Sequence, residues 1–309
     1  MLDFLTQPNY PKAAIGIEQN AITALQLRRE GRGRFGVDRA ATIELPQALL
    51  TPSFTDRNIA SVPEFRTLLE EAVVTAGLLK QKSWSVSLPS STARSAILTL
   101  DSAGKGELDE ILEWKAEQSF GAPAGQLRIT RYQISNDREG RRRYFATAIK
   151  LSVIDEYESV FEQFGWKAGL ILPRAVAETN WLLNESTPMD SLLISSQHDG
   201  FTAVLLRGNE PSVVRSVTCA PNEIDDEVYR LLMFYNDRFS DAQGGNLLSR
   251  LLLIGRELMP DKIRAISADA FGRTLSIVRS DDLGLQVPVG SLSFDDLAAP
   301  AGLAAFGWR

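Results

Sequence analysis

The sequence predicts an α/β protein of two similar lobes, with a smaller domain inserted in the first. Three observations carry that reading. Ala13–Leu27, AAIGIEQNAITALQL, reads as a strand, a tight turn and a second strand. Leu192–Arg207, LLISSQHDGFTAVLLR, repeats the plan roughly 180 residues later, the mark of a duplicated unit. Each of these segments is followed by a third strand and then a helix.

The elements follow in order. Ala13–Glu18, Ala21–Arg29 and Phe35–Leu45 are expected strands, joined by Gln19-Asn20 and by the glycine-containing turn Glu30–Arg34. Pro46–Ile59 reads as a loop. Val62–Ala76 reads as a helix, because Phe65, Leu69, Ala72, Val73 and Ala76 recur at helical spacing and Gly77 supplies a C-cap. Ser83–Leu88 alternates like a strand and stops at Pro89. Ala93–Leu100 is a strand. Glu107–Phe120 is a helix with Leu108, Ile111, Leu112 and Ala116 on one face. Strands Arg128–Ser135 and Arg143–Ile149 flank a polar, glycine-ended turn. A helix at Val153–Phe164, a strand at Ala168–Leu172 and a helix at Pro173–Leu183 come next, the last with proline in its favoured first turn. The second half offers strands at Ser191–Ser195, Thr202–Arg207 and Ser212–Ser216 and a helix at Glu223–Phe239. Strand Leu251–Ile254, helix Pro260–Ala265, strand Ser276–Val278 and helix Leu292–Ala305 complete it.

Composition narrows the function. The 309 residues suffice for two domains, and 44% apolar with 23% charged residues is the balance of a soluble globular chain. A net charge of −6 argues against nucleic acid, and the arginines of Arg138–Arg143 are diluted by Asp137 and Glu139 into a solvated turn. A single cysteine, Cys219, excludes an internal disulfide framework and fits a reducing compartment. With one histidine, His198, a zinc site is not expected. No apolar run reaches the ~18–20 residues that span a bilayer, so direct membrane insertion is not expected.

The paired strand–turn–strand units are those of an actin-like ATPase, where two such turns clasp a nucleotide. A phosphate turn needs glycines that let backbone N–H groups reach the phosphates, and a carboxylate for the metal. The first turn here is Glu18-Gln19-Asn20-Ala21, with no glycine after the acid. The second presents Ser195-Ser196-Gln197 at the strand end, and Asp199-Gly200 has the chemistry of a plain hairpin tip. After strand Leu251–Ile254, Gly255-Arg256-Glu257 stands where a base-packing Gly-Gly belongs, while Gly244-Gly245 lies before that strand, as a linker. Glu18, Ser195 and Gly255 are thus degenerate counterparts of a nucleotide site. The expectation is no catalytic residue, no bound ATP or other cofactor and no metal: a pseudo-ATPase.

Four segments resemble the type IV pilus assembly protein PilM family, actin-like proteins similar to FtsA. They are the first strand pair; Val86–Leu100, VSLPSSTARSAILTL; Leu112–Pro123, LEWKAEQSFGAP, with Leu127–Ile134; and Ala168–Leu183, AGLILPRAVAETNWLL. The likeness spans residues 13 to 240 and fades past Gly244. It implies a two-lobed actin-like (ribonuclease H-like repeat) ATPase fold with an FtsA-type extra subdomain. The expected division is 1–91 for the first lobe, 92–150 for the extra subdomain, 151–185 for the return to the first lobe and 186–309 for the second lobe.

The resemblance implies a partner too: the short cytoplasmic N-terminus of a PilN-like inner-membrane protein, docked between the extra subdomain and the first lobe. Leu112, Trp114, Gln118 and Phe120 are the candidate groove residues. Trp114 lies off the stripe of Leu108, Ile111 and Leu112, so it is either part of a wide core face or an exposed anchor. The family role would be a cytoplasmic scaffold in pilus assembly and twitching motility, peripheral to the inner membrane through its partner. Contact with the motor ATPase or platform protein, and self-association into a ring, belong to that expectation. The rivals are the cytoplasmic domain of a GspL-like type II secretion protein, which continues into a transmembrane helix, and an active actin-like ATPase or sugar kinase.

Overall fold

The computed structural model describes residues 9–100, 108–183, 189–239, 248–288, 290 and 292–308. The chain opens with an antiparallel meander of β1 (Ala13–Glu18), β2 (Ala21–Gly31) and β3 (Arg34–Glu44). Glu18 pairs with Ala21, so Gln19-Asn20 forms a two-residue hairpin turn. Helix α1 (Val62–Thr75) leads to β4 (Ser83–Leu88), which lies parallel to β1. The inserted domain follows as β5 (Arg94–Leu100), α2 (Leu108–Phe120), β6 (Leu127–Ile134) and β7 (Arg142–Lys150). Its three strands form a separate antiparallel sheet in the order β5-β7-β6, with α2 on one face. The chain returns through α3 (Leu151–Gln163) and β8 (Lys167–Pro173), then crosses between the lobes as α4 (Arg174–Thr179).

The second lobe repeats the meander as β9 (Asp190–Gln197), β10 (Gly200–Arg207) and β11 (Glu210–Thr218). Helix α5 (Ile224–Phe239), β12 (Leu248–Ile254), α6 (Pro260–Phe271) and β13 (Ser276–Ile277) complete its sheet, ordered β11-β10-β9-β12-β13. Then the chain turns back: β14 (Leu285–Gln286) pairs with β3, and α7 (Phe294–Phe306) packs against β1, β2 and β4. The first sheet therefore reads β14-β3-β2-β1-β4-β8. This corrects the expected boundary of 186–309 for the second lobe, because its last segment belongs to the first. The physical reason is composition. Helix α7 is buried from Leu297 to Ala305, and an all-round apolar helix needs covering on every side. Glu107, the expected start of α2, and Gly244-Gly245 lie outside the described residues.

Three cores give a five-layer stack. Helices α1 and α3 cover one face of the first sheet with Phe65, Leu69, Tyr157 and Phe161. Helices α4 and α7 lie between the two sheets, and α5 with α6 cover the outer face of the second. Small residues make the middle layer thin. A Cβ on Gly16 would sit 3.0 Å from the Pro300 ring, and one on Gly302 would sit 2.4 Å from the Ala177 carbonyl. Strand β1 is consequently buried on both faces, Ile15 and Ile17 toward α1 and α3, Ala14 toward α7.

The inserted domain is tied to both lobes. Arg128 forms a two-point pair with Glu158 of α3, at 2.5 and 3.1 Å. The Ser135 amide and hydroxyl donate to Glu210 of the second lobe at 2.9 and 3.0 Å. The stretch read as a plain loop, Pro46–Ile59, proves to be a built connector. Glu156 of α3 accepts from the amides of Asn58 and Ile59 at 2.8 and 2.9 Å, and buried Asn58 braces the bend through Ser53 and Asp56. The bend delivers Phe54 into the core of the inserted domain, with the Arg94 guanidinium 4.4 Å from its ring centre. Among the described residues no helix is long and apolar enough to cross a membrane.

Candidate functional site

The base of the cleft between the lobes gathers Glu18, Ser195 and Gly255, the three residues singled out by their turns. Strand β1 ends at Glu18, and α4 begins facing it at Arg174, directly after the strand-ending Pro173. Arg174 Nη1 donates to Glu18 Oε2 at 3.0 Å, and Nε donates to Glu178 Oε1 at 2.7 Å, one turn along α4. Its Nη2 reaches the Asp295 carbonyl at 3.5 Å. Glu178 is fully buried, and its Oε2 has no hydrogen-bond partner. The Ser195 hydroxyl lies close enough to favour the charged carboxylate without forming a regular hydrogen bond.

Burial dominates the electrostatics here. It pushes the Glu178 carboxyl up to about 7, against the pull of Arg174. Glu18 is raised for the same reason, with Arg174 again opposing. For Arg174 itself burial opposes the charge, but the two carboxylates outweigh it and the guanidinium stays ionised.

The second lobe closes the cleft from its side. The Gly255 amide donates to Asp295 Oδ1 at 3.0 Å, and Ser196 Oγ donates to Glu257 at 2.8 Å. Gly255 has φ +129°, and a Cβ there would stand 1.8 Å from Ser196 Oγ, so the turn rests directly on that serine. Asp296 lies in the first turn of α7, capped by Ser293 and within 3.5 Å of Arg256.

A metal–polyphosphate group would need a free carboxylate and a run of free amides curled around it. This donor set does not fit one. The Glu18 carboxylate is engaged by Arg174, its turn is a two-residue hairpin, and the Gly255 amide is held by Asp295. Among the described residues no group of three or more His, Cys, Asp or Glu is placed to hold a metal ion. Sequence reasoning missed Arg174, Glu178 and Asp295. The available signal was an Arg and a Glu four apart in an otherwise small-residue helix start, RAVAE.

The groove candidates divide. Leu112 and Phe120 are 3% and 0% exposed and pack under α2 against the small sheet, and Phe120 also lines the pocket at the end of that helix. The reason is the helix period: Leu112, Ala116 and Phe120 share the inward stripe. Trp114 is 55% exposed and Gln118 is exposed, four apart on the outer face, which settles Trp114 as a surface aromatic. At the C-terminal end of α2 a polar pocket of about 400 Å³ opens where the two lobes and the inserted domain meet. Phe54, Ser91, Arg94 and Ser119 line one side, and Asp199 and Ser216 of the second lobe line the other.

A scan of protein-family models finds no match to this sequence, and a search of curated proteins finds none either. Solved structures do match. A chain of the PilM–PilN type IV pilus biogenesis complex aligns with a TM-score of 0.76 at 16% identity, covering 98% of this chain and 100% of that one. The cytoplasmic domain of EpsL from Vibrio cholerae, an inner-membrane component of the type II secretion system, aligns at 0.49 and 11% identity, covering 96% and 93%. The ethanolamine utilization protein EutJ from Carboxydothermus hydrogenoformans aligns at 0.47 and 10%, covering 97% and 92%. The chain therefore has the actin-like fold, and it shares that fold with the pilus-complex chain over almost its whole length.

Proposed function

We propose that this protein is a PilM-like scaffold of a type IV pilus machine. It holds the short cytosolic tail of a PilN-like inner-membrane protein at the junction of the inserted domain and the first lobe, and it hydrolyses little or no ATP. The observation that supports this best is the extent of the fold likeness, which covers the inserted domain as well as both lobes. The junction has features such a role requires: a pocket of peptide-side-chain size at the end of a firmly packed helix that also carries an exposed aromatic. Membrane association then comes through the partner, and coupling to the motor and ring assembly follow from the same reading.

The test is a titration of a labelled peptide with the sequence of the N-terminal cytosolic segment of a PilN-like single-span inner-membrane protein. Binding in the low micromolar range, weakened by Trp114→Ala or Gln118→Ala, supports the reading. Magnesium-dependent ATP binding tighter than about 10 μM by calorimetry would count against the pseudo-ATPase part of it.

A further inference from the structure

The cleft base holds a cation of its own. Arg174 stands between Glu18 at the end of the first-lobe sheet and Glu178 on the helix that crosses to the second lobe. It also reaches the Asp295 carbonyl, while the Asp295 carboxylate takes the Gly255 amide of the second lobe. A continuous chain of polar contacts thus runs from one lobe to the other, Glu18 to Arg174 to Asp295 to Gly255, with the Arg174 side chain at its centre 12% exposed.

We infer that Arg174 is a built-in replacement for the nucleotide and its metal, holding the two lobes in one closed arrangement that needs no ligand. Charge favours this. In an actin-like cleft a cation is needed to gather anionic groups contributed from both sides. Here the acidic groups are Glu18 and Glu178, with Asp295 and Asp296 at the start of α7, and the cation is covalently part of the chain. A polyphosphate entering this base would displace Arg174 from two carboxylates and leave them unpaired in a buried place, which is costly. Geometry favours it as well. The Gly255 turn sits on Ser196 with no room for a side chain, so the cleft base is filled by protein atoms from the second lobe too.

The experiment is a spin–spin distance measurement between the lobes. Exposed Glu70 on α1 and Asp226 on α5 are changed, Glu70→Cys and Asp226→Cys, in a Cys219→Ser background, and spin-labelled. The expected result is a single narrow distance distribution that millimolar Mg-ATP leaves unchanged. Arg174→Met, which keeps the length of the side chain and removes the charge, is expected to broaden or lengthen that distribution and lower the melting temperature. Arg174→Lys, able to restore one ion pair, is expected to fall between. If Arg174→Met does not fold, Glu18→Gln serves: it leaves the Arg174–Glu178 pair intact and frees only the first-lobe end, so broadening without collapse is expected. A wild-type distribution that shifts with Mg-ATP would overturn the inference, as would one that stays narrow and unmoved in the Arg174 or Glu18 variants.

Discussion

The base of the interlobe cleft and the outer face of α2 are opposites. At the cleft base, charged groups are shielded from water and answer one another within the chain: Arg174 pairs with both Glu18 and Glu178. On α2, an indole that could have been buried is left 55% exposed, four residues from an exposed amide. One region has turned its polar chemistry inward, and the other leaves apolar surface outward. The difference teaches where to look for a partner in a fold usually read through its nucleotide cleft. Groups that are satisfied internally gain little from a ligand, whereas an exposed aromatic on a rigid helix gains by being covered.

The sharpest way to break the comparison is at Arg174. Removing one member of a buried ion pair leaves its partners charged and unpaired, so Arg174→Met should cost roughly 3–5 kcal/mol in urea unfolding. A loss below about 1 kcal/mol would mean that the cleft base is wetter and looser than described.

Next in size is a pH effect at Glu178. Burial raises its carboxyl from the ordinary 4.5 to about 7. Between those values the folded chain keeps a proton that the unfolded chain has released, so this group's contribution to stability falls as pH rises through the window and is level above it. Glu178→Gln cannot titrate. Measured by urea unfolding, its stability relative to the wild type should improve by about 2–3 kcal/mol between pH 4.5 and pH 8. An unchanged difference at the two pH values would show that Glu178 does not titrate in this range.

The connector between the two regions should give a middling effect. Glu156→Ala strips acceptors from the amides of Asn58 and Ile59, a loss of about 2 kcal/mol, because hydrogen bonds to a charged acceptor are among the stronger ones. Faster amide exchange confined to residues 53–59 and the inserted domain would mark the connector as the link between them.

Smallest in stability is Trp114→Ala, expected within about 0.5 kcal/mol of the wild type, since the side chain is mostly in water. Its effect on peptide binding should be larger, about 2 kcal/mol or thirtyfold in affinity. If stability falls by several kcal/mol and affinity does not change, Trp114 is a structural residue and the comparison fails at its second term.

Much of the fold was legible because it rests on local pattern. β4 alternates and α1 repeats cleanly over six or more residues, β1 is a short apolar run ending at the Gln19-Asn20 turn, and the limits of all three lie within a residue or so of the expected ones. The return of the chain to the first lobe was not legible, since β14 is two residues long and carries no periodicity. The cleft was half legible. Missing glycines and acids can be read from Glu18, Ser195 and Gly255, but the cation among them comes from a residue 156 positions away from Glu18. The α2 stripe named Leu112 and Phe120 as apolar; Leu112 lies beneath the helix, and Phe120, buried there too, reaches the pocket at its end. Spacing along one helix says which residues share a face; the small sheet decides which face is covered.

The return of β14 and α7 has a consequence for how the molecule comes apart. Leu285 pairs with Phe35, residues roughly 250 positions apart, and the first strand of the chain is backed by its last described helix. The first lobe is therefore not a segment that can be excised. Any nascent or truncated chain lacking residues 283–306 would leave Leu25, Leu27 and Phe35 facing water. Heating should accordingly melt both lobes in one calorimetric transition, with the inserted domain, whose core is its own apart from Phe54, the part able to loosen by itself.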